Sequence, residues 1–120
     1  MAVLELNKEN FDETIQKNDI VVLDFWAPWC GPCKQFAPTY DEVSGKFSDV
    51  VFAKINTEDE QELAANYQIR SIPTLMVFRD QIAIFSQPGA MAGTDLEAVV
   101  KKAQELDMDK VREEVAKEAN

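Results

Sequence analysis

Hydrophobic residues lie along the chain in short runs separated by polar stretches. Runs rich in β-branched and aromatic side chains predict five strands, at residues 3–6, 20–26, 50–55, 75–78 and 82–86. The second run has almost no polar interruption, which is typical of a central parallel strand covered on both faces. The last two runs are joined by a turn at residues 79–81 that is too short for a crossover, so these two strands must be antiparallel.

Between these runs, apolar residues recur every three or four positions, which is the spacing of an amphipathic helix. The spacing predicts helices at residues 8–17, 35–47 and 58–67, and a further helix from about residue 94. Asn7 can cap the first helix. The patterns Thr57-x-x-Glu60 and Thr94-x-x-Glu97 match capping boxes at the last two helices.

The alternation of strands and helices predicts an α/β fold that contains a parallel βαβ unit. Pro38 interrupts the second helical segment, which either starts after the proline or bends there, and the continuous apolar spacing favours the bend. The length is that of one domain, which we place at residues 1–107. A charged extension follows at residues 108–120; it is expected to be a helical or frayed tail, with a docking helix for a partner as the alternative.

Composition and charge exclude several classes of function. The apolar runs are far shorter than the ~20 residues of a membrane-spanning helix, and no basic segment followed by an apolar one marks a signal peptide. The formal net charge of −10 disfavours nucleic acids and anionic membranes as partners. The chain has no histidine, which excludes Ser-His and Cys-His catalysis and histidine ligation of a metal. We therefore expect a cytoplasmic protein without a metal site.

The chain has two cysteines, Cys30 and Cys33, and they stand where the second strand ends and a helix begins. The first turn of a helix carries free N–H groups and a partial positive charge, which stabilise a thiolate at Cys30. Cys33 lies one turn further along and can reach the same sulfur, so the pair suits thiol–disulfide exchange. The alternatives are half of a zinc site shared with another chain, or two inert buried thiols.

The two residues between the cysteines indicate the direction of the exchange. A histidine beside Cys33 would stabilise the Cys30 thiolate, favour the reduced protein and make it an oxidant. Pro32 stands in that position instead; it offers no such stabilisation and stiffens the turn. The pair is therefore expected to reduce other disulfides. An oxidase or isomerase is the alternative, and the reduction potential of the pair would separate the two.

The stretch Trp-Cys-Gly-Pro-Cys-Lys at residues 29–34 resembles the active-site motif of the thioredoxin family, in its bacterial type. The resemblance extends over roughly the first hundred residues and implies a thioredoxin-like fold, with a central mixed β-sheet flanked by helices on both faces. It implies a protein-disulfide reductase that binds no cofactor and takes electrons from NADPH through a thioredoxin reductase. Its partners would be that reductase and disulfide-bearing proteins, and the chain would be a monomer. The alternative is a binding module that uses the same fold with an idle dithiol.

Two positions depart from the family pattern. Gln81 stands in the turn where thioredoxins have glycine; positive φ would suit glutamine poorly there, so we expect a turn of another type. Pro88 stands where thioredoxins have an aliphatic β-branched residue before a glycine. This leaves open what backbone pairing the segment offers to a substrate.

Asp24 is the one charge within residues 20–26. A buried carboxylate is costly unless it is paired or protonated, and burial would raise its pKa toward the neutral range in which it can take and give protons. Lys54 on the neighbouring predicted strand is its expected partner; alternatively the strand turns Asp24 to solvent. The resemblance implies that Asp24 lies beneath Cys33 as the general base that deprotonates it, with Lys54 close by.

Pro73 marks the start of a strand on sequence grounds alone. Residues 72–74 resemble the cis-proline loop that faces the cysteine pair in thioredoxins, and a cis bond there would leave the Ile72 backbone free to pair with an extended substrate. The resemblance implies a substrate-binding collar around Cys30 that consists of Trp29, Gly31, Pro32, Ile72, Pro73 and Gly89. The alternative for Trp29 is a core aromatic, a role that suits Trp26 better.

Overall fold

The elements follow one another in the order that the hydrophobic pattern predicts, in a computed structural model that describes residues 3–119. The strands are β1 (Leu4–Glu5), β2 (Ile20–Trp26), β3 (Val51–Asn56), β4 (Thr74–Arg79) and β5 (Ile82–Pro88). The helices are α1 (Phe11–Lys17), α2 (Gly31–Ser44), α3 (Gln61–Asn66), α4 (Gly93–Glu105) and α5 (Met108–Ala119). No helix within the described range is long and apolar enough to cross a bilayer.

The strands form one mixed sheet in the order β1-β3-β2-β4-β5. β2 is parallel to β3 and antiparallel to β4, while β4 and β5 form the predicted antiparallel hairpin. β2 is central and almost wholly buried, because an apolar cluster covers each face of the sheet. One cluster includes α2 and α4, and the other includes α1 and α3. The predicted fold, a mixed sheet with helices on both faces, is confirmed.

Alternate residues of β2 face opposite sides of the sheet, and this decides where its one charge lies. Ile20 and Val22 pack with α2 and α4, whereas Val21 and Leu23 pack with α1 and α3. Asp24, two residues after Val22, therefore faces α2, the helix that begins at the cysteines.

Both predicted capping boxes are wrong, because neither helix begins where its box requires and neither has a side-chain cap. The Thr57 hydroxyl donates to the carbonyl of Trp26 at 3.0 Å, and α3 begins only at Gln61. α4 begins ahead of Thr94 without a side-chain cap, while Glu97 pairs with Lys46 at 3.1 Å. α1 also starts later than predicted, since the side chain of Asn7 accepts the N–H groups of residues 9 and 10 and closes a separate turn.

α2 begins at Gly31, four residues before its predicted start, and ends at Ser44 rather than at residue 47. Pro32 fits the first turn, where a backbone N–H would have no helical partner. Pro38 lies inside the helix, so the alternative in which the helix starts after this proline is wrong. The early start places Cys30 at the N-cap.

The turn between β4 and β5 also differs from the expectation. Asp80 and Gln81 have φ values of 50° and 70°, so both occupy the left-handed region, which is the pattern of a two-residue hairpin turn. The Asp80 N–H donates to the carbonyl of Asp19 at 2.8 Å, and its carboxylate pairs with Arg112 at 3.3 Å. Contacts outside the turn thus hold a conformation that glycine would adopt without strain.

The charged extension is a regular helix over its described residues, 108–119. The Asp107 carboxylate accepts the N–H groups of Asp109 and Lys110 and caps it, and Met108 is buried. Arg112 joins the helix to the β4–β5 turn through Asp80. The first half of α5 is therefore anchored to the domain. The predicted domain boundary at residue 107 coincides with the start of this helix. The division into a domain of residues 1–107 and a separate extension stays a prediction.

Candidate active site

Cys30 and Cys33 form a disulfide bond at the N-terminus of α2. Both residues are almost wholly buried. The backbone N–H of Cys33 donates to the sulfur of Cys30 at 3.2 Å. In the reduced protein, a helix N–H directed at this sulfur favours the thiolate form of Cys30, as the sequence predicts for the attacking cysteine.

A cavity of about 100 Å³ lies between α2 and the strands β2 and β3, on the inner side of the disulfide. Its polar lining includes Asp24 from β2, Lys54 from β3, and Cys33 and Tyr40 from α2. It extends toward the protein surface along Lys34, Ala37 and Asp41, with Val3 and Trp26 completing the wall. Thus Asp24 and Cys33, predicted to act together, line one cavity.

Asp24 is 4 % exposed, so the alternative in which the strand turns it to solvent is wrong. Its Oδ1 atom has no hydrogen-bond partner among the described residues. Burial raises the pKa of Asp24 to about 7, and the charge of Lys54 opposes only part of this rise. A carboxyl group with this pKa exists in both protonation states near neutral pH.

Lys54 lies directly opposite Asp24 in the ladder between β2 and β3. The two side chains do not form an ion pair of 4.0 Å or less. Every ion pair among the described residues, 3–119, joins other side chains. Instead, the Lys54 Nζ atom lies 5.0 Å from the centroid of the half-buried Trp26 ring. Lys54 therefore acts on Asp24 through its electric field across the cavity, and the two do not form a direct salt bridge.

The Ile72–Pro73 loop lies against the disulfide on the outer side. The Ile72 carbonyl oxygen is 3.8 Å from the Cys30 sulfur, and the Ile72–Pro73 bond is cis. The N–H of Gly89 donates to the carbonyl of Pro73 at 2.7 Å, so that N–H is already engaged within the protein. Pro88 ends β5 opposite Thr74, the first residue of β4. The structure thus brings the 72–73 segment to Cys30 and ties Gly89 to the same loop.

Trp29 is 67 % exposed, so its alternative role as a core aromatic is wrong. Its indole N–H donates to the carboxylate of Glu58. Together with Ile72 it lines a surface groove of about 220 Å³. Gly31 and Pro32 are exposed at the start of α2, beside Cys30. Of the predicted collar, Trp29, Gly31, Pro32 and Gly89 are exposed, Ile72 is half-buried and Pro73 is buried.

Two residues at this site escaped the sequence analysis. Glu58 carried no signal, since an acidic residue after a strand is normally a solvated charge. Tyr40 did carry one: it stands among Phe36 and Val43 on the inward face of α2, and a buried phenol needs a partner for its hydroxyl. That partner is the sheet, because the hydroxyl oxygen lies 2.7 Å from the carbonyl of Ala53 and 3.0 Å from that of Val22.

Known proteins match this chain over most of its length. The family model described as Thioredoxin matches residues 2–102. A Streptomyces coelicolor relative, by its name a candidate thioredoxin 2, is 50% identical over 117 residues, which are 98% of this chain and 87% of the relative. The thioredoxin of Haemophilus influenzae is 42% identical over 96 residues, 78% of this chain and 90% of that protein. The solved structure of Plasmodium falciparum thioredoxin superposes with a TM-score of 0.78 at 33% identity, over 83% of this chain and 98% of that one.

The sequence matches, the mixed sheet and the cysteine pair at a helix N-terminus agree with one another. Members of this family exchange a dithiol for a disulfide without needing a bound cofactor. The chain belongs to the thioredoxin family, and it is a thiol–disulfide oxidoreductase that reduces protein disulfides through Cys30 and Cys33.

Proposed function

We propose that Cys30 is the attacking cysteine, that Cys33 is the resolving one, and that Asp24 is the general base that deprotonates Cys33. The Cys30 thiolate attacks one sulfur of the substrate disulfide, so that a mixed disulfide forms and the other substrate sulfur leaves as a thiolate. Cys33 then gives its proton to Asp24 and attacks the Cys30 sulfur. The Cys30–Cys33 disulfide forms, the mixed disulfide breaks, and the substrate leaves as a dithiol with two electrons from the protein.

The observation that carries this assignment is the cavity that Asp24 and Cys33 share. A base must lie near the proton that it takes, and its pKa should be near the working pH. Asp24 meets the second requirement because its pKa is raised to about 7 by burial. Lys54 keeps part of the carboxylate population charged, since its positive charge opposes the effect of burial.

The contacts around the disulfide support a role in substrate binding for Trp29, Gly31, Pro32, Ile72, Pro73 and Gly89. An extended substrate segment would pair with the backbone near Ile72, beside the sulfur that it reacts with. The groove lined by Trp29 and Ile72 would take a substrate side chain next to the reacting cysteine. The Gly89 N–H would not contribute, because it is bound to Pro73.

We further propose a bacterial-type thioredoxin that acts in the cytoplasm as a monomer and takes electrons from NADPH through a thioredoxin reductase. The match to the Streptomyces coelicolor relative supports the bacterial type, since it covers 98% of this chain and so includes part of α5. The absence of histidine and the net charge of −10 support a protein partner over a metal or a nucleic acid.

A coupled assay tests the electron source. The protein, a bacterial thioredoxin reductase, NADPH and insulin are expected to consume NADPH in proportion to the insulin disulfides opened, and Cys30→Ser is expected to consume none. The same protein should also reduce insulin with dithiothreitol. Reduction with dithiothreitol but not with NADPH and the reductase would contradict the proposed electron source while leaving the cysteine chemistry in place.

Truncation after Asp107 is expected to leave disulfide-reductase turnover near the full-length value, because the cysteines, Asp24, Lys54 and Pro73 all lie in the remaining part. The stability should fall by roughly 1.5–3 kcal/mol, because the truncation removes the buried side chain of Met108 from the core. Denaturant unfolding and insulin reduction measure the two effects, with Arg112→Met in the full chain as a control for the lost ion pair. A truncated protein that stays folded by circular dichroism yet loses most of its turnover would identify α5 as a docking element.

A further inference from the structure

Tyr40 connects the helix that carries the cysteines to the strands that carry the proposed base and its neighbouring charge. It lies on α2 seven residues after Cys33, about two helical turns, and is 2 % exposed. Its hydroxyl reaches the backbone of both β2 and β3, at Val22 and at Ala53. The proposed mechanism gives this buried hydroxyl no role.

The contacts of the hydroxyl fix its orientation. A phenol has one hydrogen to donate, and two backbone carbonyls compete for it, with Ala53 the closer at 2.7 Å. Either carbonyl that accepts this hydrogen joins α2 to a strand of the sheet. Tyr40 also lines the cavity of Asp24 and Cys33, and Asp24 in turn acts on Tyr40, because its charge contributes to the rise of the Tyr40 pKa above its ordinary value.

We propose that Tyr40 is a positioning residue for disulfide exchange: its hydroxyl holds α2 against β2 and β3, and so fixes the place of Cys33 relative to Asp24. The inference rests on the proposed role of Asp24 as general base. It adds to that proposal a residue that touches neither the substrate nor the reacting sulfurs.

Other charged groups line the cavity of Asp24, and the test must separate their effects from that of Tyr40. They are Lys54 on β3 and Lys34 and Asp41 on α2, while Cys33 carries no charge in the disulfide. The partner of Asp24 on β4 is Leu75, which is apolar and buried. Tyr40→Phe leaves every one of these groups in place and removes one oxygen atom.

The first measurement is the titration of the Asp24 carboxyl carbon by NMR in the oxidised protein, where no thiol titrates. Tyr40→Phe is expected to lower the Asp24 midpoint by roughly half a pH unit, about a threefold change in the proton-binding constant. The direction follows because burial raises the pKa of Asp24, and loss of the hydroxyl contacts lets α2 move away from the strands so that water reaches the carboxyl group. The matched control is Tyr67→Phe, which removes a phenol hydroxyl in the cluster on the other face of the sheet.

The second measurement is the rate at which Cys33 resolves a preformed mixed disulfide on Cys30, followed across pH. Tyr40→Phe is expected to slow resolution and shift its midpoint in step with the NMR titration, and to have no further effect in an Asp24→Asn background. A Tyr40→Phe protein that loses stability but keeps both midpoints would show a purely structural tyrosine and overturn the inference. If Asp24→Asn alone resolves at the normal rate, it is the general-base proposal that fails, and the NMR midpoint still decides whether Tyr40 acts on Asp24.

Discussion

Cys30→Ser is expected to abolish protein-disulfide reduction, whereas Cys33→Ser is expected to react with a substrate once and stay attached to it. Cys30 receives the N–H of Cys33 at the start of α2, which favours its thiolate, and it lies beside the accessible Ile72 loop. Cys33 lies inside the first turn and faces the cavity of Asp24. Mass spectrometry of each variant, incubated with a disulfide-bearing protein, measures the adducts directly.

Both variants should lose turnover in the insulin assay, by several orders of magnitude, since neither can complete the exchange. The double variant Cys30→Ser/Cys33→Ser is the control for adducts that do not involve this pair. Stable adducts on Cys30→Ser, with none on Cys33→Ser, would reverse the assignment of the attacking and resolving cysteines.

Asp24→Asn is expected to slow the resolution step and to stabilise the folded protein at neutral and higher pH. The pKa of Asp24 rises from about 3.9 in the unfolded chain to about 7 in the folded protein. The folded state therefore holds a proton that the unfolded state has lost, and stability decreases as pH rises from about 4 through 7. The variant avoids this loss, which amounts to at most about 4 kcal/mol above pH 7.

Urea midpoints at pH 4 and pH 8 test the effect on stability. The difference between Asp24→Asn and the unmodified protein should be small at pH 4 and large at pH 8. Asp41→Asn is the matched control, because it removes an exposed carboxylate from the same cavity lining and should change neither midpoint appreciably. A destabilised Asp24→Asn protein with normal kinetics would instead make Asp24 a structural member of a charge pair.

The central strand and the cysteine site were predictable because their signals are local and strong. The run at residues 20–26 is the observed β2. A strand that is covered on both faces consists almost wholly of apolar residues, so such a run is easy to recognise. Asp24 is the one charged residue in this run. Because the run predicts a strand buried on both faces, it also predicts that this carboxyl group is buried. Cys30 and Cys33 stand between this run and the apolar spacing of α2, so the sequence places them where the strand ends and the helix begins.

Features that depend on contacts between distant parts of the chain could not be predicted. Thr57 matches a capping pattern, but its hydroxyl donates to the carbonyl of Trp26 in β2. A pattern of four consecutive residues carries no information about a contact 31 residues away. Gln81 adopts positive φ next to a residue held by Asp19 and Arg112, both remote in sequence. Lys54 was correctly placed beside Asp24 by the strand order, but its position over the Trp26 ring depends on side-chain packing.

A single-turnover reaction with insulin tests the central claim most directly. The reduced protein, mixed in excess with insulin and no other reductant, should open one insulin disulfide for each Cys30–Cys33 disulfide that it forms, and its own mass should fall by two hydrogens, about 2 Da, with no adduct remaining. Insulin that stays oxidised, or that is reduced without formation of the Cys30–Cys33 disulfide, would contradict dithiol–disulfide exchange through this pair.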